Sequence, residues 1–295
     1  MSRISRILDR LEGVLALGER VLVELAPGET DPSLFERHAA FRWDSGRPPG
    51  HLAAIEEPAC FDLDDLIGVG EPLAALERNT RQLLAGHPYN NVLLHGERGT
   101  GKSSAVRGLL TRYAAEGLRV VEVDRADLVH LPRILAALRG GKRWSFLIFC
   151  DDLSFGPGEA GYLELKAALD GSLVAPPLGV CIVATSNRRS LVPQTMAENR
   201  AARVDEHGEL HLGEALEEKL ALADRFGLVL GFYNFDQSTY LAIVSHYLCQ
   251  AGIAELDDEL RRESLRWALS HASRSGRTAR QFVDDVVGRL RLAGG

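Results

Sequence analysis

Between Val92 and Ser103 the chain reads VLLHGERGTGKS, an apolar run followed by a glycine-rich turn and a lysine-serine pair. Gly96, Gly101, Lys102 and Ser103 fall at the spacing G-x-x-x-x-G-K-[ST], with a further glycine, Gly99, inside it. Glycines let successive backbone N–H groups turn inward in conformations that a Cβ resists, and such a concave set of donors suits phosphate oxygens. A helix beginning at the lysine-serine pair adds the positive end of its dipole. The pattern therefore predicts a cradle for a nucleoside triphosphate. In that cradle Lys102 reaches the β- and γ-phosphates as a point charge and the Ser103 hydroxyl ligates Mg²⁺. Arg98, Thr100 and Ser104 belong to the same loop and helix start and are assigned to nucleotide binding with it.

Further polar groups stand at the ends of other apolar runs. WSFLIFC, residues 144–150, is nearly continuous in apolar residues, as expected for a parallel strand covered on both faces. It ends in Asp151 and Asp152, and we expect it beside the phosphate-loop strand. Asp151 is then placed to hold Mg²⁺. Asp152 stands where a carboxylate could activate the attacking water, with Glu159 as the alternative and a structural role left for Asp152. Asn187 follows the run GVCIVAT, where it either bonds the γ-phosphate and the same water or caps its loop. Arg225 precedes the run at 228–232 and reads either as a group facing the phosphates of a neighbouring subunit or as a surface ion pair. Arg280, in GRTARQF, could fold onto the γ-phosphate from a late helix, with Arg277 as its rival.

These groups need a scaffold. Strand patterns at 92–96, 118–123, 144–150, 179–185 and 228–232 alternate with helical patterns at 71–85, 103–116, 128–138 and 161–169. Such alternation implies a parallel sheet with right-handed crossovers, which binds ligands beyond the carboxyl ends of its strands. All the polar tips above lie on that edge. Leu66, Ile67, Gly68 and Val69 lead into the helix at 71, and this segment reads either as a wall for the adenine or as ordinary core. From residue 237 onward only helical patterns remain, at 239–251, 257–270 and 278–292, forming a separate small bundle. The stretch 26–58 contains five of the twelve prolines together with Phe35, Phe41 and Trp43, which suggests an irregular linker pinned by its aromatics. Residues 3 to 25 carry apolar positions at helical spacing, suited to docking on the chain's own core or on a partner. Residues 190–218 read as a polar surface excursion.

Composition narrows the setting. The 295 residues are 45% hydrophobic, enough for a substantial core, and the formal net charge of −7 argues against a constitutive, sequence-blind grip on nucleic acid. Cys60, Cys150, Cys181 and Cys249 are scattered without a C-x-x-C, and Cys150 and Cys181 sit in apolar runs. We therefore expect buried thiols, no metal-cysteine site, and a reduced cytoplasmic compartment. No apolar run approaches a membrane span and the N-terminus lacks a signal core, so no membrane partner is expected.

In this order, GERGTGKS, FLIFCDD, ATSN, DRFG and GRTARQF resemble the AAA+ ATPase superfamily: Walker A, Walker B, sensor 1, arginine finger and sensor 2. Within it, FCDDLSF, LKAALDGSL, ATSNRR, EEKLALADRFGL and SGRTARQF are similar to the bacterial group DUF815. The resemblance covers residues 60 to 292. It implies an α/β P-loop NTPase of the ASCE type, with a five-stranded parallel sheet between helices, a C-terminal helical lid and an N-terminal helical extension. The implied division is 1–58 for extension and linker, 59–235 for the nucleotide-binding core, and 236–295 for the lid. ATP or ADP and Mg²⁺ are the implied ligands, and a homo-oligomeric ring, a hexamer among the options, is the implied assembly, with Arg225 acting in trans. The departure is Asp152, where glutamate is usual. One methylene less puts the rate of hydrolysis in question, because misplacing a catalytic group by about 1 Å can cost on the order of a hundredfold.

Three functions follow as expectations. The first is an ATPase that drives conformational change in a client protein. The second is a nucleotide-dependent switch or scaffold with little turnover. The third is a DNA-associated ATPase using Arg188, Arg189, Arg274, Arg277 and Arg280, which the acidic charge disfavours. A threading motor is disfavoured as well: the connection at 124–127 has no aromatic residue, and Phe155 and Tyr162 are the nearby aromatics.

Overall fold

The computed structural model describes residues 30–46, 50–141, 143–155, 160–170, 178–187, 203–204, 210–211, 222–253 and 255–293. The helix expected at 3–25, Glu159, the Arg188-Arg189 pair and most of the expected surface excursion lie outside them. Among the described residues the chain runs α1 (Pro32–Arg37), β1 (Ala40–Asp44), β2 (His51–Ala54), α2 (Gly70–Leu84), β3 (Val92–Gly96), α3 (Lys102–Tyr113) and β4 (Leu118–Glu122). It continues through α4 (Leu131–Leu138), β5 (Ser145–Cys150), α5 (Ala160–Asp170), β6 (Val180–Ser186) and the short pair β7 (Arg203–Val204) and β8 (Leu210–His211). It closes with β9 (Leu228–Phe232), α6 (Gln237–Gln250), α7 (Asp258–Ser270) and α8 (Gly276–Ala293).

Seven strands form one sheet in the order β2-β1-β4-β5-β6-β3-β9, and every pairing except β1 with β2 is parallel. The five expected strands make up its continuous part. Two expectations change. The strand ending in Asp151 is not adjacent to the phosphate-loop strand, because β6 lies between them, with Leu147 opposite Cys181 on one side and Val92 opposite Val183 on the other. The supposed linker, in turn, supplies β1 and β2. Phe41 and Trp43 are buried while Arg42 and Asp44 point outward, a period-two pattern too short to stand out beside the prolines. β1 and β2 pair as antiparallel strands, so this stretch is not a loose tether, and the pair covers what would otherwise be the open edge of β4.

The two faces of the sheet explain why its strands are apolar throughout. Leu94, Val120, Leu147 and Val183 face a cluster with α2, α3 and the lid, whereas Leu93, Val121, Ile148 and Ile182 face a cluster with α1, α4 and α5. Phe35 of α1 packs edge-on against Phe41 and Phe146, with ring centroids 5.3 and 4.9 Å away. At about 25 cal/mol per Å² of apolar surface, burying an aromatic ring of this kind contributes on the order of 2 to 3 kcal/mol. Cys150 and Cys181 are fully buried, as expected, and burial pushes both thiols up to about 12.

The three C-terminal helices pack on one another and on the core. α6 and α7 are capped by Asp236 and Asp257, whose carboxylates accept from Thr239 N at 2.7 Å and Leu260 N at 2.8 Å. The Ser275 hydroxyl accepts from Thr278 N at 3.2 Å and starts α8 beside the phosphate loop. No helix among the described residues is long and apolar enough to cross a membrane.

Candidate functional site

β3 carries the chain, buried on both faces, to the turn that begins at Gly96. Gly96, Gly99 and Gly101 hold φ of 134°, 77° and 104°, a region that L side chains rarely adopt. At Gly96 a Cβ would stand 1.8 Å from the Phe232 carbonyl oxygen of β9, so only glycine lets the two strands stay paired there. α3 then starts at Lys102. Lys102 is 7% exposed, and its ammonium donates to the carbonyls of Gly96 at 2.8 Å and Glu97 at 2.7 Å. Burial lowers its pKa from the ordinary lysine value, against the attraction of Asp151 and Asp152 and with the repulsion of Arg277 and Arg98. A cation is thus held inside the loop among electronegative groups.

The tips of β5 and β6 come together opposite this loop. The Ser103 hydroxyl donates to Asp151 Oδ1 at 2.7 Å, and the Thr185 hydroxyl donates to the same oxygen at 2.5 Å. Thr185 Oγ1 also accepts from the Asp152 amide at 2.8 Å. Thr185 is 1% exposed and was not singled out in the sequence, where it reads as the last residue of an apolar strand. It pins both aspartates. Asp152 holds φ of 50°, a left-handed conformation unusual for a residue other than glycine. Its carboxylate accepts from Asn187 Nδ2 at 2.5 Å and lies 3.7 Å from the Arg98 guanidinium. Asp151, Asp152, Asn187, Lys102 and Ser103 therefore converge from three elements that are distant in sequence.

Together with the lid they enclose a cavity of 610 Å³, a size suited to a nucleotide. Its polar wall is the loop from Arg98 to Ser104 with Asp65, Arg107, Asp151, Asp152, Thr185 and Asn187. Its apolar wall is Phe61, Leu66, Ile67, Phe235, Ile243 and Tyr247. Gly276, Arg277, Arg280 and Gln281 of α8 complete the lining. Arg277 N donates to the Gly99 carbonyl at 3.4 Å, so the start of α8 touches the phosphate loop itself. Arg280 Nε donates to Asp284 at 3.1 Å, and its guanidinium lies 5.3 Å from the centre of the Tyr247 ring. Both candidate lid arginines line the cavity.

Three assigned residues stand outside the lining, of which Gly96 lies behind it with its carbonyl accepting from Lys102. Gly68 is not part of the lining; it turns at φ 84° with the position of its missing Cβ 2.5 Å from Thr239 Cγ2 of α6, so it is closely packed against that helix. Arg225 also lies outside the cavity of its own chain, where its guanidinium bonds the Asp170 carboxylate at the end of α5. The sequence reading missed Phe235, Ile243 and Tyr247. The last two stand four residues apart on α6, a spacing indistinguishable from that of core residues.

The residues present suit Mg²⁺. Ser103 and Asp151 offer oxygen donors 2.7 Å apart at the mouth of the loop, the hard ligands that this ion takes. Among the described residues there is no cluster of three or more histidine, cysteine or acidic side chains that would hold a metal by itself.

A family model described as "Protein of unknown function (DUF815)" matches residues 36–290. No curated protein matches the sequence. Among solved structures, Thermotoga maritima RuvB, described as a Holliday junction branch migration motor, superposes with a TM-score of 0.53 and 17% identity over 79% of this chain. DnaA from Aquifex aeolicus bound to AMPPCP superposes with a TM-score of 0.50 and 18% identity over 80% of this chain. The present chain spans 66% of the length of each of those two chains. At such identities the likeness establishes the fold alone, a mostly parallel α/β sheet between helices that this chain shares with those two proteins.

Proposed function

The chain belongs to the DUF815 family, and we propose that it is a Mg²⁺-dependent ATPase that couples hydrolysis to conformational change in a partner protein. The observation that carries this reading is the convergence of Lys102, Ser103, Asp151, Asp152 and Asn187 on one 610 Å³ cavity closed by lid arginines. In this mechanism the loop amides and Lys102 bind the β- and γ-phosphates, and the wall formed by Ile67, Phe235 and Tyr247 receives the base. Ser103 and Asp151 would hold Mg²⁺, which would supply positive charge against the phosphates. Asn187 orients a water and Asp152 accepts its proton as the water oxygen bonds to the γ-phosphorus and the bond to the ADP oxygen breaks. Arg280, with Arg277 beside it, opposes the charge that develops on the γ-phosphate.

Arg225 enters as a group donated to the next subunit of a homo-oligomeric ring. Its position outside its own cavity supports this role, while its ion pair with Asp170 at the end of α5 is what the competing ion-pair reading expects. Purified Arg225→Ala is expected to bind ATP as the wild type does and to lose on the order of a thousandfold in turnover. Phosphate release at the wild-type rate would remove the trans role.

A second reading, a nucleotide-dependent switch with little turnover, is favoured by the short Asp152 and by its pairing with Asn187 and Arg98. Nucleotide-dependent assembly on size-exclusion chromatography without phosphate release would select it. A threading role is not supported: Phe155 is 1% exposed and packs on Tyr162 at 5.7 Å, so it is not displayed to a substrate chain.

A further inference from the structure

The short turn at Leu63–Asp65, just ahead of α2, makes contacts that nucleotide binding alone does not call for. Its Leu63 is buried, with Cδ2 2.4 Å from where a Cβ on Gly108 would stand, so the leucine fills a notch in α3. Arg112 of α3 holds the turn from outside, 2.6 Å from Asp64 and 3.6 Å from Asp62. Leu66 reaches the phosphate loop, with Cδ2 2.6 Å from the Cβ position of Gly101. The turn is therefore a fixed part of the phosphate-binding side.

Asp65 lines the cavity as well and reaches from this turn to α6. Its Oδ1 accepts from Gln250 Nε2 at 2.7 Å and lies 2.7 Å from His246 Nε2, which must carry the proton to complete that bond. His246 and Gln250 are one turn apart on α6. The same helix contributes Ile243 and Tyr247 to the cavity, and the Tyr247 ring carries the Arg280 guanidinium. One carboxylate oxygen thus ties the phosphate-loop platform to the helix on which a lid arginine rests.

We propose that Asp65 is a positioning residue: its latch to His246 and Gln250 sets α6 against the phosphate-binding side and so sets where Arg280 enters the cavity. This rests on the nucleotide reading above and adds to it a route by which lid closure and the γ-phosphate are coupled. The latch acts through Arg280, so its loss is felt by ATP and not by ADP.

The test is calorimetric titration of the full chain with ATP and with ADP in Mg²⁺. Asp65→Ala is expected to weaken ATP by about tenfold and to leave ADP within about twofold. Asp65→Asn keeps an oxygen that accepts from both donors and restores ATP affinity. The double variant His246→Ala/Gln250→Ala reproduces the split from the other side of the latch, which separates the proposal from local unfolding of the turn. Asp65→Ala placed in an Arg280→Ala background adds no further loss, the non-additivity expected of residues that act as one unit. Equal losses for ATP and ADP, additive losses with Arg280→Ala, or an Asp65→Asn variant as weak as Asp65→Ala would each overturn the latch. Wild-type protein that binds neither nucleotide would overturn the nucleotide reading itself, and the latch with it, before any variant is made.

Discussion

Lys102→Ala is expected to lose at least about a thousandfold in ATP turnover, corresponding to roughly 4 kcal/mol of transition-state stabilisation. The ammonium is buried inside the loop and bonds the Gly96 and Glu97 carbonyls. Removing it deletes the one positive side chain that the loop itself encloses and leaves those carbonyls without their donor, which costs about 1 to 3 kcal/mol for a buried group. Lys102→Arg is not a conservative repair. A planar guanidinium fork cannot take the place of a compact ammonium between two carbonyls 2.7 and 2.8 Å away. Phosphate release measured on both variants decides the matter, and turnover within tenfold of the wild type in either would remove Lys102 from the mechanism.

Asp152→Asn carries the second large effect, of a different kind. An amide cannot accept the proton of the attacking water, and loss of such a group costs about 10² to 10⁴-fold in rate. The asparagine still offers an oxygen to the Asn187 amide and remains outside the set of groups that hold the phosphates, so ATP affinity is expected to stay within about threefold of the wild type. Binding without hydrolysis makes this variant a trap. A client recruited by the ATP-bound state should co-purify with Asp152→Asn in ATP and be missing with Lys102→Ala. Wild-type turnover in Asp152→Asn would assign water activation to another carboxylate and leave Asp152 a structural role.

These two residues also illustrate how much was legible before any coordinates. The loop around Lys102 is a local feature: its glycines, lysine and serine are contiguous, and their spacing alone dictates where their backbone groups point. Strand identity was legible for the same reason, since a run such as SFLIFC is apolar on both faces wherever it sits. Strand order was not, because pairing partners are set by contacts between distant segments. This is why β6 falls between β3 and β5, where adjacency of β3 and β5 was expected. The hairpin of β1 and β2 was hidden by its prolines and by strands of five and four residues, too short for alternation to announce them.

The site divides along the same line. Asp151, Asp152 and Asn187 stood out as polar residues ending apolar runs. Thr185 did not, although it bonds both aspartates, because a threonine at a strand end is ordinary. Tyr247, Phe235 and Asp65 became visible only when the lid was set against the core. Gly68 was assigned to the ligand through the segment it belongs to, and its close packing against Thr239 shows only once α6 is in place. For Arg225 the missing information is the neighbouring subunit, which no property of one chain supplies.

Everything above depends on a nucleotide occupying the cleft between β3, α3 and the lid. Isothermal titration of the purified chain with ATP and ADP in Mg²⁺, beside the Lys102→Ala variant, addresses this directly. The account predicts saturable binding of both nucleotides to the wild type and a loss of about tenfold or more in the variant. A folded wild-type protein giving no heat with either nucleotide, or a variant that binds them as tightly as the wild type, would contradict it.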